Sequence, residues 1–265
     1  MAIKLIEIDL DDTLLDNRQQ LSPRTLAVLQ QAMRNGVAVT IATGRMFQSA
    51  LPFATELGIK LPLITYNGAL IRQGDNGETI FHRPIETALA QELADLFRRR
   101  NWYLQKYVDD RLYVAELDEN ARFYADYAKV EAIPLGDSFF HMNEAPTKML
   151  SMGEPAELAA ISTELDSRFG GRLYLASSKK RYLEMVDARV NKGQALDFMA
   201  GRLGSLQHEV MAIGDSMNDL DMIQYAGIGV AMGNANPTVR AAADFVTLGN
   251  SEDGVAAAVE KFALS

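Results

Sequence analysis

The sequence predicts an α/β protein built on a parallel sheet, with a second, α+β domain inserted into it. Three observations carry that expectation. Short β-branched runs alternate with amphipathic helical segments over the first third of the chain, the texture changes to paired, aromatic-rich strands between about residues 84 and 185, and the first texture then returns. The implied division is 1–83 and 186–265 for one discontinuous domain and 84–185 for the insertion.

The apolar run Ile3-Lys4-Leu5-Ile6-Glu7-Ile8 predicts a strand over 3–9. Ser22 and Pro23 are an N-cap and first-turn pair for a helix over 23–35 that Gly36 stops. A strand at 37–42, a helix at 46–57 ended by Gly58 and a strand at 62–66 complete a βαβαβ pattern, hence a parallel sheet. Tyr66-Asn67-Gly68-Ala69 carries an Asn-Gly hairpin turn. The insertion reads as helix 86–100, strands 102–108 and 111–116, helix 118–129, strand 147–152, helix 155–168 and strands 172–176 and 182–187. The returning half reads as helix 192–203, strand 209–213, helix 217–225, strand 227–231, helix 236–243, strand 244–247 and helix 252–262.

Composition excludes several function classes. The 265 residues are 48% hydrophobic and 23% charged, the balance of an ordinary soluble globular protein. A formal net charge of −9 argues against a general basic surface for a polyanion, so nucleic acid is not an expected partner. No run approaches the roughly 18 uncharged apolar residues of a membrane span. Lys4, Glu7 and Asp9 interrupt the N-terminal run, so neither a signal peptide nor an anchor is expected. The expectation is a cytoplasmic protein, monomeric or weakly homo-oligomeric, with no membrane partner.

The absence of cysteine removes disulfides, thiolate metal sites and a cysteine nucleophile. His82, His141 and His208 lie far apart with no H-E-x-x-H spacing, which leaves zinc-hydrolase chemistry unsupported. There is no G-x-x-x-x-G-K-[ST] loop and no G-x-S-x-G elbow, and Gly227-Ile228-Gly229 with Gly233 misses the dinucleotide fingerprint by one residue. Carboxylate chemistry remains.

Asp9-Leu10-Asp11-Asp12-Thr13 delivers two carboxylates, two residues apart, at the carboxyl end of a buried strand, where ligands bind in open α/β sheets. Burying like charges there needs a compensating cation; the competing reading makes Asp11 or Asp12 a helix or turn cap. Thr43-Gly44-Arg45 ends the second strand, and Thr43 reads equally as a helix N-cap or as a phosphate-binding hydroxyl. Lys192, in Asn191-Lys192-Gly193, opens a helix where a cation opposes the macrodipole, so it is either an exposed lysine or one that shares an anion with the helix end. Gly214-Asp215-Ser216-Met217-Asn218-Asp219 repeats the strand-then-acid arrangement. Asp215 and Asp219 either favour a helix start or join Asp9 and Asp11 as oxygen ligands, a set that suits Mg²⁺ and phosphate.

In this order, D-x-D-x-T at 9–13, Thr43-Gly44-Arg45, Asn191-Lys192-Gly193 and Gly214–Asp219 resemble the four motifs of the haloacid dehalogenase (HAD) superfamily. Tyr66-Asn67-Gly68-Ala69, Val230-Ala231-Met232-Gly233-Asn234-Ala235 and Glu252-Asp253-Gly254-Val255 further resemble its Cof-type sugar phosphatases, so the likeness covers nearly the whole core. One departure is Asp12, where the Cof-type pattern has glycine; altered turn detail, not lost chemistry, is expected.

The resemblance implies a Rossmann-like HAD core with an inserted cap of the C2 type, and Mg²⁺-dependent hydrolysis of small phosphate monoesters, phosphosugars or related metabolites. It implies Asp9 as nucleophile and Asp11 as general acid and base. Mg²⁺ would be held by Asp9, the Asp11 backbone carbonyl and Asp215, with Asp219 supporting. Thr43, Gly44, Lys192 and Asn218 would hold the phosphate, and Arg45 is either a substrate contact or a structural partner. Trp102, Tyr103, Tyr107, His141 and Tyr182 are candidate substrate contacts, though packing explains aromatics at strand spacing as well. Two alternatives remain: a phosphomutase, or a non-catalytic phosphometabolite-binding protein.

Overall fold

In a computed structural model of the chain, residues 2–264 are described. The first segment gives β1 (Leu5–Ile8), α1 (Pro23–Arg34), β2 (Ala38–Ile41), α2 (Phe47–Leu57), β3 (Leu63–Thr65), β4 (Leu70–Arg72) and β5 (Thr79–His82). There follow α3 (Thr87–Arg100), β6 (Gln105–Val108), β7 (Arg111–Val114), α4 (Glu119–Ala128), β8 (Ala132–Pro134), β9 (Lys148–Met152), α5 (Pro155–Phe169), β10 (Leu173–Ala176) and β11 (Tyr182–Asp187). The last segment gives α6 (Lys192–Leu203), β12 (Val210–Gly214), α7 (Leu220–Tyr225), β13 (Ile228–Ala231), α8 (Pro237–Ala242), β14 (Phe245–Val246) and α9 (Gly254–Ala263).

The first and last segments share one parallel sheet in the order β14-β13-β12-β1-β2. All four residues of β1 are buried, as expected of a strand covered on both faces. Local chemistry sets the element ends. The Ser22 hydroxyl accepts from the Thr25 amide with Pro23 in the first turn of α1, and Asn191 accepts from the Gln194 amide at the start of α6. α2 ends at Gly58, whose φ of 77° is left-handed.

The inserted strands form a second sheet, ordered β10-β11-β9-β6-β7-β8 and antiparallel except for β7 with β8. Side chains alternate across it. Met149 and Met185 join Leu93, Phe97, Ile161 and Leu165 of α3 and α5 in one apolar cluster. Tyr107, Leu150 and Tyr182 join α4 and the parallel-sheet core in another. This is the α/β architecture with an inserted α+β domain that the sequence predicts.

Three details differ from expectation. β3 touches the parallel sheet by one bridge, Ala42 to Ile64, and pairs instead in an antiparallel sheet β3-β4-β5, because the Asn67 turn folds the chain straight back. β5 and β8 were not expected. No residue of β5 is fully buried, so it lacks an alternating pattern, and β8 is three residues ending in Pro134. Among the described residues no helix is long and apolar enough to cross a membrane.

Candidate active site

β1 and β12 lie side by side, so their carboxyl ends bring Asp9 next to Asp215. After Asp9 the backbone makes a single wide turn over Leu10–Leu14, closed by the Leu15 amide on the Leu10 carbonyl at 3.0 Å. Asp12 takes a left-handed φ of 59° within it, a conformation glycine adopts without strain and aspartate tolerates. The turn aims the Thr13 hydroxyl at Asp215 Oδ1, 3.0 Å away. Asp9, Asp215 and Asp219 each offer a carboxylate oxygen, all within 4.8 Å of one another and all buried.

Lys192 is fully buried, not an exposed lysine, and its Nζ donates to Asp9 Oδ1 at 2.6 Å and Asp219 Oδ1 at 2.5 Å. Burial disfavours its charge, yet Asp219 and Asp9 together hold its pKa above the usual lysine value. The carboxylates show the converse. Burial first, then neighbouring Asp219, pushes Asp9 well above its ordinary value and Asp215 up to about 7. Asp219 Oδ2 accepts from the Asp215 and Ser216 amides at 3.0 and 2.9 Å, which fixes the loop that carries Asp215.

The Asp11 carboxylate lies apart from this cluster. Arg45 grips it from Nε and Nη2 at 2.8 and 2.7 Å, and the Tyr127 hydroxyl donates to it as well. Burial alone would raise its pKa, but the Arg45 hydrogen bonds and charge, with Lys179 and Tyr127, hold it at about 2. Arg45 is thus Asp11's partner in this arrangement, through Nε and Nη2, and Nη2 also reaches Gln19.

Thr43 does not cap α2. The N-cap position is Met46, three residues later, and Asp110 in the β6–β7 turn accepts the Phe47 and Gln48 amides, each at 2.9 Å. Thr43 Oγ1 instead accepts the Arg45 amide at 3.1 Å, leaving its hydrogen to donate elsewhere. Asn218 donates to Asn67 Oδ1 at 3.0 Å, and its own Oδ1 is buried without a partner among the described residues.

A cleft joins Asp9, Asp11, Thr43, Gly44, Arg45 and Asn218 to Tyr124, Tyr127, Ser178, Lys179, Tyr182 and Glu184 of the insertion. Of the aromatics singled out by sequence only Tyr182 lines it. Trp102 packs edge-on against Phe97, the Tyr103 hydroxyl bonds Gln105, Tyr107 packs edge-on against both Tyr66 and Tyr124, and His141 sits exposed beside Asp137. Sequence reasoning missed Tyr127, Lys179, Lys148 and Glu184. Lys179 pairs with Asp12 at 3.2 Å, so the residue that departs from the Cof-type glycine holds a cation from the insertion. Glu7, two residues before Asp9, is buried with no partner among the described residues, and burial pushes its carboxyl well above the usual range.

Residues 6–259 match the family model described as haloacid dehalogenase-like hydrolase. The chain is 32% identical to phosphatase YwpJ of Bacillus subtilis, over 96% of this chain and 98% of that one. It is 31% identical to the same organism's 5-amino-6-(5-phospho-D-ribitylamino)uracil phosphatase YcsE, over 99% and 96%. A crystal structure of a haloacid dehalogenase-like hydrolase from Bacteroides thetaiotaomicron superposes with a TM-score of 0.88 at 31% identity, covering 98% of this chain and 99% of that one.

Proposed function

We propose, for a chain that belongs to the haloacid dehalogenase-like hydrolases and is a phosphoric monoester hydrolase of their Cof type, that it cleaves small phosphorylated metabolites such as phosphosugars through an aspartyl phosphate on Asp9, with Mg²⁺ as cofactor. The observation that carries this reading is the buried cluster at the ends of β1 and β12, where Asp9, Asp215 and Asp219 face one ammonium, that of Lys192.

The donor set fits the ion. Three buried carboxylates against one lysine leave negative charge uncompensated, and oxygen donors without histidine or cysteine suit a hard divalent cation. Asp9, Asp215 and the Asp11 backbone carbonyl would hold Mg²⁺. Asp219, whose oxygens are engaged by Lys192 and two amides, would support them. When bound, the ion would neutralise charge on the phosphate and on Asp9.

Lys192 holds Asp9 Oδ1, which leaves Oδ2 to form the bond to phosphorus as the ester oxygen departs. Thr43, the Gly44 backbone, Lys192 and Asn218 would cradle the nonbridging oxygens, the positioning that carries most phosphoryl-transfer catalysis. Asp11 would give its proton to the departing oxygen and then take one from the water that hydrolyses the intermediate. To do so it must exchange Arg45 and Tyr127 for the leaving group, since in that pairing it is ionised. The insertion, whose boundaries we place near residues 84 and 185, would cap the site, exclude water and select the leaving group.

The test is phosphate release from an aryl phosphate. Turnover is expected with Mg²⁺ and not in excess chelator, and Asp9→Asn is expected to abolish it while its far-UV circular dichroism stays unchanged. Full activity of either the chelated protein or the variant would overturn the reading.

A further inference from the structure

Two charged side chains of the inserted sheet face the site without taking part in the chemistry above. The two-residue strand period that sends Met149 and Met185 to the helix-covered side turns Lys148 of β9 and Glu184 of β11 toward the parallel sheet. They form an ion pair at 3.3 Å, with only 1% and 3% of their side chains exposed.

Each reaches a different half of the phosphate cradle. Lys148 Nζ donates to the Gly44 carbonyl at 2.5 Å. That carbonyl and the Arg45 amide, which bonds Thr43 Oγ1, belong to one rigid peptide plane, so pinning one end aims the other. Glu184 accepts from Ser178 Oγ at 3.0 Å through one oxygen and from Asn67 Nδ2 through the other. Asn67 Oδ1 then accepts from Asn218, which decides which way the Asn218 amide faces. A Cβ at residue 44 would lie 3.0 Å from both Asn67 Oδ1 and Glu184 Oε2, so any side chain there would push on both relays.

Stability does not account for this pair. Burial pulls the Lys148 pKa down despite the Glu184 charge beside it, and replacing a buried ion pair by apolar residues is often neutral or stabilising. We propose that Lys148 and Glu184 are positioning residues. They hold the Thr43–Gly44–Arg45 turn and the Asn67–Asn218 amides in phosphate-binding geometry, so the cradle is complete only when the insertion is seated on the core. This rests on the reading of the site as a phosphate-ester hydrolase. It adds that the insertion acts on the phosphoryl side as well as on the leaving group.

Two neutral double variants test it: Lys148→Met/Glu184→Gln, which removes the donor to Gly44, and Lys148→Gln/Glu184→Gln, which keeps one. Both leave no buried charge unpaired and are expected to melt near wild type. The methionine variant should lose ~10²-fold in kcat/KM, the scale of a small misplacement of reacting groups. The loss should be equal on p-nitrophenyl phosphate and glucose 6-phosphate, with inhibition by inorganic phosphate weakened in parallel. The glutamine variant should recover most of it. Asn67→Gly, which cuts the relay from Glu184 to Asn218 and accepts the left-handed φ of 57° at that position, should lower kcat/KM by ~10-fold without a comparable loss of folded protein, and it carries the test should the methionine variant not fold. Wild-type kinetics in the folded variants, equal losses with methionine and glutamine, or a loss confined to the sugar ester would overturn the positioning role. A wild-type protein that releases no phosphate from any ester would instead sink the reading of the site.

Discussion

Replacing Lys192 by methionine keeps the length of the side chain and removes the one ammonium from the carboxylate cluster. Its Nζ lies 2.6 Å from Asp9 and 2.5 Å from Asp219, with none of its side chain exposed. Two such contacts at an effective dielectric near 20 are worth roughly 13 kcal/mol before solvation. Returning the ammonium to water recovers several kcal/mol, and measured losses on breaking buried pairs are about 3–5 kcal/mol. Lys192→Met should therefore unfold at markedly lower urea, by about 3–5 kcal/mol in chelator. A second change, Asp219→Asn, should return part of that loss by removing one of the two stranded charges, so the pair is non-additive. On the kinetic side kcat/KM for an aryl phosphate should fall by roughly 10²–10³, the scale of losing one transition-state donor. The assay is urea denaturation followed by circular dichroism, beside phosphate release measured under conditions where each variant is folded. Stability within about 1 kcal/mol of wild type would show that the buried pairs do not couple as their distances imply. Unchanged kcat/KM in a folded variant would remove Lys192 from the chemistry.

The other predictions address single side chains. Thr43→Ala should lower kcat/KM by roughly 10²–10³ while α2 stays intact, because Asp110 and not Thr43 caps that helix; loss of helix content would restore the capping reading. Asp11→Asn should cost roughly 10²–10⁴ in rate with Mg²⁺ affinity retained. Rapid-quench mass spectrometry of that variant on an aryl phosphate should find an adduct on the peptide containing Asp9, and an adduct elsewhere would overturn the nucleophile. Asp12→Gly trades a left-handed aspartate and a half-exposed ion pair with Lys179 for a flexible residue, so stability should stay within about 1 kcal/mol of wild type and activity should persist; lost turnover would contradict it. Lys106 is buried against Phe139, and burial pulls its pKa down to about 8 although Asp95 and Glu144 oppose this. The native state therefore holds this proton less tightly than the unfolded chain, so the cost is full below pH 8 and fades as pH rises toward the ordinary lysine value. Lys106→Met should raise Tm most at pH 7, with the gain shrinking between pH 8 and about 10.4; a gain that is constant with pH would show that Lys106 is not buried as a cation.

What could be read from the chain was local. Asp9 and Asp215 follow buried strands directly, so a strand pattern plus an acid at its end placed them at one edge of the sheet, and parallel pairing of β1 with β12 did the rest. Lys192 was marked by a conflict, a cation at a helix start, and the structure resolves that conflict with two carboxylates. Partners supplied by the insertion were out of reach. Tyr127 meets Asp11 across 116 residues and Glu184 meets Asn67 across 117, separations that leave no periodic signal. Yet a signal of another kind was present, since Lys148 and Glu184 each stand in mostly apolar strands, Lys-Met-Leu-Ser-Met and Tyr-Leu-Glu-Met-Val-Asp, where an unpaired charge would be costly.

The reading of Thr43 as a helix cap shows how such partners become inferable. A helix start leaves amides that need acceptors, and nothing directly before Phe47 provides one, because Met46 cannot accept and Thr43 is three residues too early. The acceptor therefore had to come from elsewhere in the chain. It is Asp110, in a turn where Asp109 and Asp110 both adopt left-handed φ, and the same carboxylate takes the Tyr66 hydroxyl at 2.7 Å. Beside it, Ser49 donates to the Ala128 carbonyl at 2.7 Å and Gly44 accepts from Lys148. Residues 44–49 thus find their missing hydrogen-bond partners in the insertion. The segment that follows Thr43 is incomplete without the second domain, and an unsatisfied helix start is the point in the sequence from which that dependence can be argued.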